Sequence, residues 1–203
     1  FGLSVSAGVL INFTYDAPTY MAALGLVLSA WILITTTLEV VQRVSAMDTS
    51  LSAFERLRKL TPSHWGMILG HLGFAVTLIG ITLVSNYEVE RDVRMMPGES
   101  VTLSGYEFAF RKVEQRTGPN YTADVGIFDV YESGDKLVHL EPEKRLYLVQ
   151  RMPMTEAGIY STIFRDLFIA MGEPLDDGAW AIRVYIKPFV TWIWAGAVIM
   201  AIG

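Results

Sequence analysis

The chain has 203 residues, 52% hydrophobic and 18% charged, with a mean hydropathy of +0.36. It is too apolar for an ordinary soluble domain and too polar for a bare helical bundle, so membrane spans and a soluble domain must share the sequence. A net charge of −5 argues against nucleic-acid binding, and the absence of cysteine excludes disulfides, zinc fingers and thiol nucleophiles.

Residues 1–13 read as the tail of a transmembrane helix, and Thr14 to Thr19, with Asp16 and Pro18, as a short turn. Both chain ends fall inside apolar runs, with no initiator Met and no charged leader, which leads us to expect an internal piece of a longer membrane protein. A full span is predicted over 20–42, because Tyr20 to Val41 supplies the roughly 20 apolar residues that a bilayer crossing needs. Residues 43–61 form a polar loop in which Arg43, Arg56, Arg58 and Lys59 face only Asp48 and Glu55. Short loops rich in Lys and Arg stay inside, so this loop is expected to be cytoplasmic and the Thr14–Thr19 turn to face outward.

The next predicted span, 62–85, carries His71. It follows Thr61-Pro62, a good N-cap and first-turn pair. The run from Met67 to Ile81 has no charge. His71 lies nine residues beyond Pro62, about 14 Å along the axis, near the midplane of a ~30 Å hydrocarbon core. An ionisable group at that depth is expensive and marks a functional site by default. Neutral imidazole is cheap to bury among such groups and is a strong metal ligand, so the expected occupant is a haem iron bound axially by His71. A hydrogen bond to a neighbouring helix is the structural alternative. Gly66, Gly70, Gly73, Thr77 and Gly80 fall within about 80° of one another and predict a close helix contact. His71 points about 140° away from Gly66, on a face with His64, Met67, Ala75, Leu78 and Thr82. Ala75, one turn on, should leave room for a flat ligand. His64 is about 10.5 Å from His71 along the axis, too far to share one iron, and at the cytoplasmic rim it needs no special role.

Residues 86–187 are soluble in character and read as mostly β. Tyr106, Phe108 and Phe110 alternate with Glu107, Ala109 and Arg111, and Trp180, Ile182, Val184 and Ile186 alternate with polar neighbours. Gly118-Pro119-Asn120 turns into a strand over Tyr121–Tyr131, Ser133-Gly134-Asp135 closes a hairpin with Leu137–Leu140, and Leu146–Val149 is a further strand. Gly172-Glu173-Pro174 and Asp176-Asp177-Gly178 read as turns. His139 beside Glu141 and Glu143 reads as a surface histidine, and the pairs Met95-Met96 and Met152/Met154 as core filling. No hydrolytic or nucleotide-binding motif is present. Pro188 to Gly203 opens another span, with Trp192 and Trp194 at its entrance. One span beyond a cytoplasmic loop, the β domain should lie outside, anchored at both ends.

The sequence resembles the CcmF/NrfE family of cytochrome c-type biogenesis haem lyase subunits. The resemblance runs through most of the chain. It is carried by His64-Trp65-Gly66-Met67-Ile68-Leu69-Gly70-His71-Leu72-Gly73, by Met154-Thr155-Glu156-Ala157 with Arg165-Asp166-Leu167-Phe168-Ile169-Ala170-Met171-Gly172-Glu173, and by Lys187-Pro188 with Trp192-Ile193-Trp194-Ala195-Gly196. It implies the C-terminal third of a bacterial inner-membrane protein, a polytopic α-helical fold with an inserted, mostly β periplasmic domain. In that family two helix histidines hold a transmembrane haem b, and His71 matches the second. The first histidine, and the tryptophan-rich outer loop that receives the substrate haem, lie outside this sequence. The resemblance further implies reduction by quinol, thioether attachment of haem to apocytochrome c, and partnership with a holo-haem chaperone and thiol-reducing subunits. No catalytic residue within the chain is identified. The alternative expectation is a non-catalytic membrane scaffold whose β domain recruits maturation partners.

Overall fold

The computed structural model describes residues 2, 4–6, 19–47 and 50–203. The expected turn at Thr14–Thr19, apart from Thr19 itself, and most of the expected helix tail over 1–13 lie outside them. The chain divides into a helical unit, comprising the residues up to Tyr87 together with those from Pro188 onward, and a β unit over Glu88–Lys187.

In the helical unit, α1 spans Tyr20–Ser45, α2 Ala53–Arg58, α3 Pro62–Tyr87 and α4 Val190–Ile202. α1 and α3 are each 26 residues, long and apolar enough to cross a membrane. Thr19 caps α1: its hydroxyl accepts from the Ala22 N–H at 3.1 Å and donates to Asn86 Oδ1 at 2.6 Å. Within the threonine run, Thr35 and Thr37 satisfy their hydroxyls in an apolar setting by donating to the carbonyls of Trp31 and Leu33, each at 2.7 Å. The basic loop contains a helix that periodicity alone does not reveal. α2 starts at a capping box in which Ser52 and Glu55 satisfy each other's backbone N–H groups.

α3 packs against both of the other long helices. Its glycine face receives α4: a Cβ on Gly73 would lie 2.6 Å from the Gly196 carbonyl oxygen, and one on Gly66 2.6 Å from that of Gly203. Thr77 donates to the Ile193 carbonyl at 3.4 Å. Gly70 is the exception, with open space where a side chain would be. On another face α3 receives α1, where Gly25 lies against the Thr82 side chain. Ala22, Gly25, Leu26 and Ser29 form the buried stripe of α1.

The β unit is a two-sheet sandwich. One sheet has the order β1(Val89–Met95), β10(Trp180–Pro188), β9(Arg165–Pro174), β8(Gly158–Ser161). The other runs β2(Ser100–Leu103), β3(Tyr106–Thr117), β4(Tyr121–Glu132), β6(Glu143–Tyr147), β7(Pro153–Glu156), with β5(Asp135–Leu140) also on β4. Inward positions of both sheets meet in one core: Phe108, Phe110, Phe128 and Val130 from one, Leu167, Ile169, Met171, Ile182 and Val184 from the other. The rings of Phe110 and Phe128 stack at 4.5 Å. Each such fully buried side chain contributes about 1.5–3 kcal/mol of apolar burial. Two hairpins close through Ser104-Gly105 and Ser133-Gly134, both residues of each at positive φ, the mirror-image turn that suits strand twist.

The structure corrects two local expectations and adds strands where none was expected. The strand predicted over Leu146–Val149 ends at Tyr147, and Leu148 begins an exposed turn. Gly172-Glu173-Pro174 continues β9, and the chain turns only at Leu175–Gly178. β7, β8 and β9 occupy a region that shows little clean alternation in sequence.

Candidate functional site

His71 sits in α3, one turn after Met67, whose sulfur lies 3.1 Å from the imidazole Nδ1. A thioether is a weak acceptor, so this contact orients the ring without satisfying it. With Nδ1 held against its own helix, Nε2 is the nitrogen presented to a ligand. The ring is exposed in this chain and borders a groove of about 310 Å³ lined by Trp31, Ile32, Thr35, Thr36 and Glu39 of α1 and by Met67 and His71 of α3. Ala75, expected to leave room for a flat ligand, is fully buried. The room beside His71 lies toward α1 instead.

This arrangement fits one side of a haem site. It offers an imidazole nitrogen between aromatic and aliphatic walls, while the other ring nitrogen meets only the weak Met67 acceptor rather than the carboxylate, carbonyl or water that commonly orients an axial histidine. Among the described residues no group of three or more His, Cys, Asp or Glu side chains could hold a bare metal ion. A second axial donor would come from elsewhere.

Glu39 is the residue that sequence reasoning missed. It lines the groove and accepts a hydrogen bond from His64 Nε2 at 2.9 Å. Arg43 Nε lies 3.4 Å from its other oxygen. His64, whose side chain is only 10% exposed, thus ties α3 to α1 rather than standing idle at a rim. The available signal was an acidic residue inside an apolar helix, which demands a partner.

The other singled-out residues serve the β unit. His139 bridges Asp129 at 2.9 Å and Glu141 at 3.3 Å. Lys136 first, with His139 and Arg111, holds the Asp129 carboxyl well below the ordinary range. Glu141 pairs with Arg116 and Glu143 with Arg145, both at 2.6 Å, and Asp177 pairs with Arg94. Met95 is core, whereas Met152 and Met154 are exposed and fill none. Thr155 donates to the Met171 carbonyl at 3.1 Å and Glu156 binds Arg145 at 3.1 Å. Arg165 binds Glu132 at 2.9 Å and lies over the Tyr106 ring. Asp166 is buried, its Oδ1 lacks a partner, and burial pushes its carboxyl above the ordinary value. The shared segments around 154–157 and 165–173 therefore join strands within the sandwich.

A family profile described as the CcmF C-terminal beta-sandwich matches residues 86–188. The chain is 54% identical over 146 residues to the cytochrome c-type biogenesis protein CcmF of Pseudomonas aeruginosa, covering 72% of this chain and 22% of that protein. It is 42% identical to CcmF of Haemophilus influenzae over all of this chain and 31% of the relative, and 46% identical to CcmF of Escherichia coli over 90% of this chain and 27% of the relative. A solved structure titled Cytochrome c Heme Lyase CcmF superposes with a TM-score of 0.77 at 17% identity, over 98% of this chain and 32% of that one. The chain belongs to the CcmF family. It spans less than a third of the length of these relatives.

Proposed function

We propose that this chain is the C-terminal part of a membrane haem lyase subunit acting in cytochrome c maturation, and that His71 supplies one axial ligand to a transmembrane haem b. The observation that carries this reading is the His71 groove: an imidazole oriented by Met67, facing apolar and aromatic walls between two helices long enough to span a bilayer. Membership in a family of cytochrome c biogenesis proteins supports the role. A bound haem b supplies one-electron redox chemistry. The chain's own residues hold it: His71 by its nitrogen, Met67 by fixing the ring, Trp31 and Ile32 by excluding water. In this reading the subunit works in the bacterial inner membrane with residues 86–187 in the periplasm, quinol as reductant, and apocytochrome c, a holo-haem chaperone and thiol-reducing subunits as partners.

The test is the absorbance spectrum of the purified full-length protein. His71→Ala should abolish or greatly weaken the b-type bands, while His139→Ala leaves them intact. Unchanged haem occupancy in the His71 variant would sink the ligand assignment. The scaffold reading keeps one observation in its favour, the exposed apolar side chains Leu146, Leu148, Val149, Met152 and Met154 around the β6–β7 turn. It predicts no haem in either protein.

A further inference from the structure

Few ionisable groups belong to the long helices, and most of them meet. α1 carries one acidic residue, Glu39, and one basic residue, Arg43, a single turn apart. α3 carries no Asp, Glu, Lys or Arg, and its ionisable side chains are His64, His71 and the terminal Tyr87. α4 has none. Arg43 is half exposed, and its Nε lies 3.4 Å from one Glu39 oxygen. His64, 10% exposed, donates from Nε2 to the other oxygen at 2.9 Å. Glu39 in turn lines the groove onto which His71 opens, and Trp31, Ile32, Thr35, Thr36 and Met67 are the rest of its lining. The charges of α2 are held elsewhere. Arg56 donates to the Val44 carbonyl at 3.0 Å, Arg58 lies over the Phe54 ring, and Glu55 is held by the Ser52 cap. Lys59 follows α2 and is exposed.

This line of groups can take up one proton without breaking. Nε2 donates to Glu39 in the neutral ring and in the imidazolium alike, so an arriving proton goes to Nδ1. Arg43, Glu39 and His64 then pass from zero net charge to a single positive charge. An electron added inside an apolar groove is costly unless a positive charge appears near it. His64 lies seven residues before His71, about 10.5 Å along the axis. A unit charge at that range, at an effective dielectric of about 20, changes an equilibrium by roughly tenfold.

We propose that His64 and Glu39 form a proton site coupled to the redox group held by His71. This rests on the reading of His71 as an axial ligand of haem b. One electron, from the quinol of that reading, reduces the iron from ferric to ferrous. One proton, from water at the half-exposed Arg43 end, forms the N–H bond at His64 Nδ1, and Glu39 holds the resulting imidazolium. Reoxidation returns the proton by the same route. The pair compensates charge from beside the groove and is no ligand to the iron.

The experiment is a spectroelectrochemical titration of the purified full-length protein, reading the midpoint potential of the b-type bands from about pH 5 to about pH 8, the range in which imidazole titrates. In the wild type the midpoint should fall as pH rises, because reduction takes up a proton. The total fall should be about 59 mV, the one-electron equivalent of a tenfold change. His64→Gln keeps a donor toward Glu39 but does not titrate in this range, and Glu39→Gln removes the anion that holds the imidazolium. Both should flatten the profile, read on the haem that each retains. A flat wild-type profile, or a slope that survives in His64→Gln, would overturn the proton site. If both variants lose the bands while the wild type keeps them, the pair is a structural tie alone and the proposal falls as well. Bands that survive His71→Ala, or a wild type without them, would overturn the haem b reading beneath it.

Discussion

Tyr106 shows how a single side chain couples the sandwich to pH. It is buried, and its hydroxyl donates to Glu132 Oε1 at 2.7 Å. Burial first, and then that bond to a carboxylate, push its ionisation from 10.0 up to about 12. A raised value means that folding favours the neutral phenol. The stabilisation is complete below pH 10, where the unfolded chain would begin to ionise, and is lost as pH rises toward 12. A shift of this size corresponds to roughly 2–3 kcal/mol. Tyr106→Phe should therefore cost about 1 kcal/mol at neutral pH, for the lost hydrogen bond, and flatten the alkaline limb. Circular dichroism of the β-sheet signal through an alkaline titration checks this. An alkaline midpoint unmoved by the substitution would place the sensitivity elsewhere. Arg165 makes a second residue-level case. It joins Glu132 and the Tyr106 ring from the facing sheet. Arg165→Ala should lower the melting temperature before it affects any partner, and a variant that melts normally but fails to co-purify with partners would reverse that order.

At the scale of elements, α3 is built around the residues it lacks. Gly73 and Gly80 admit the α4 backbone, and a Cβ at Gly80 would lie 2.9 Å from the Ile193 nitrogen. Leucine at Gly73 should force the helices apart and destabilise the detergent-solubilised full-length protein by about 1–3 kcal/mol, the usual range for overpacking. Leucine at Gly70, on the same predicted stripe but with nothing within 4 Å, should be tolerated. Thermal aggregation assays on the two variants separate them, and equal damage would mean that α3 carries a further neighbour over Gly70. Sequence pattern showed the stripe but not which member was idle, because helical angle fixes direction and not the extent of the partner. The same distinction runs through the β unit. Phe108 and Phe110, and Ile182 and Val184, were legible from alternation, since each sits on a strand with one buried face. β7 and β8 were not, being four residues each with mixed burial. In sequence His71 stands out as an imidazole in an apolar run and Glu39 as an acid in another, but which partner Glu39 takes, His64 on the neighbouring helix, is set by the fold.

In the proposed membrane reading, the loop between α1 and α3 decides which way the chain threads the bilayer. Arg43, Arg56, Arg58 and Lys59 cluster between α1 and α3. Arg43 is in the last turn of α1 and Arg56 and Arg58 in α2, so the basic residues lie close to the span ends, where they weigh most on orientation. In that reading the β unit follows one span later, and its side would be set by that loop, because long domains translocate largely regardless of their own charge. The best reporter of the β side is Val149, 90% exposed at the β6–β7 turn. It is preferable to Gly134, whose φ of +92° would strain any replacement. Lys59, exposed after α2, reports the loop without breaking the Ser52 capping box. With the full-length protein in whole cells whose outer membrane has been permeabilised, cysteine at Val149 should react with a membrane-impermeant thiol reagent, and cysteine at Lys59 only after the inner membrane is opened. The inverse pattern would put the β-sandwich in the cytoplasm. It would also overturn the proposed role in periplasmic cytochrome maturation, which needs the sandwich on the outer side.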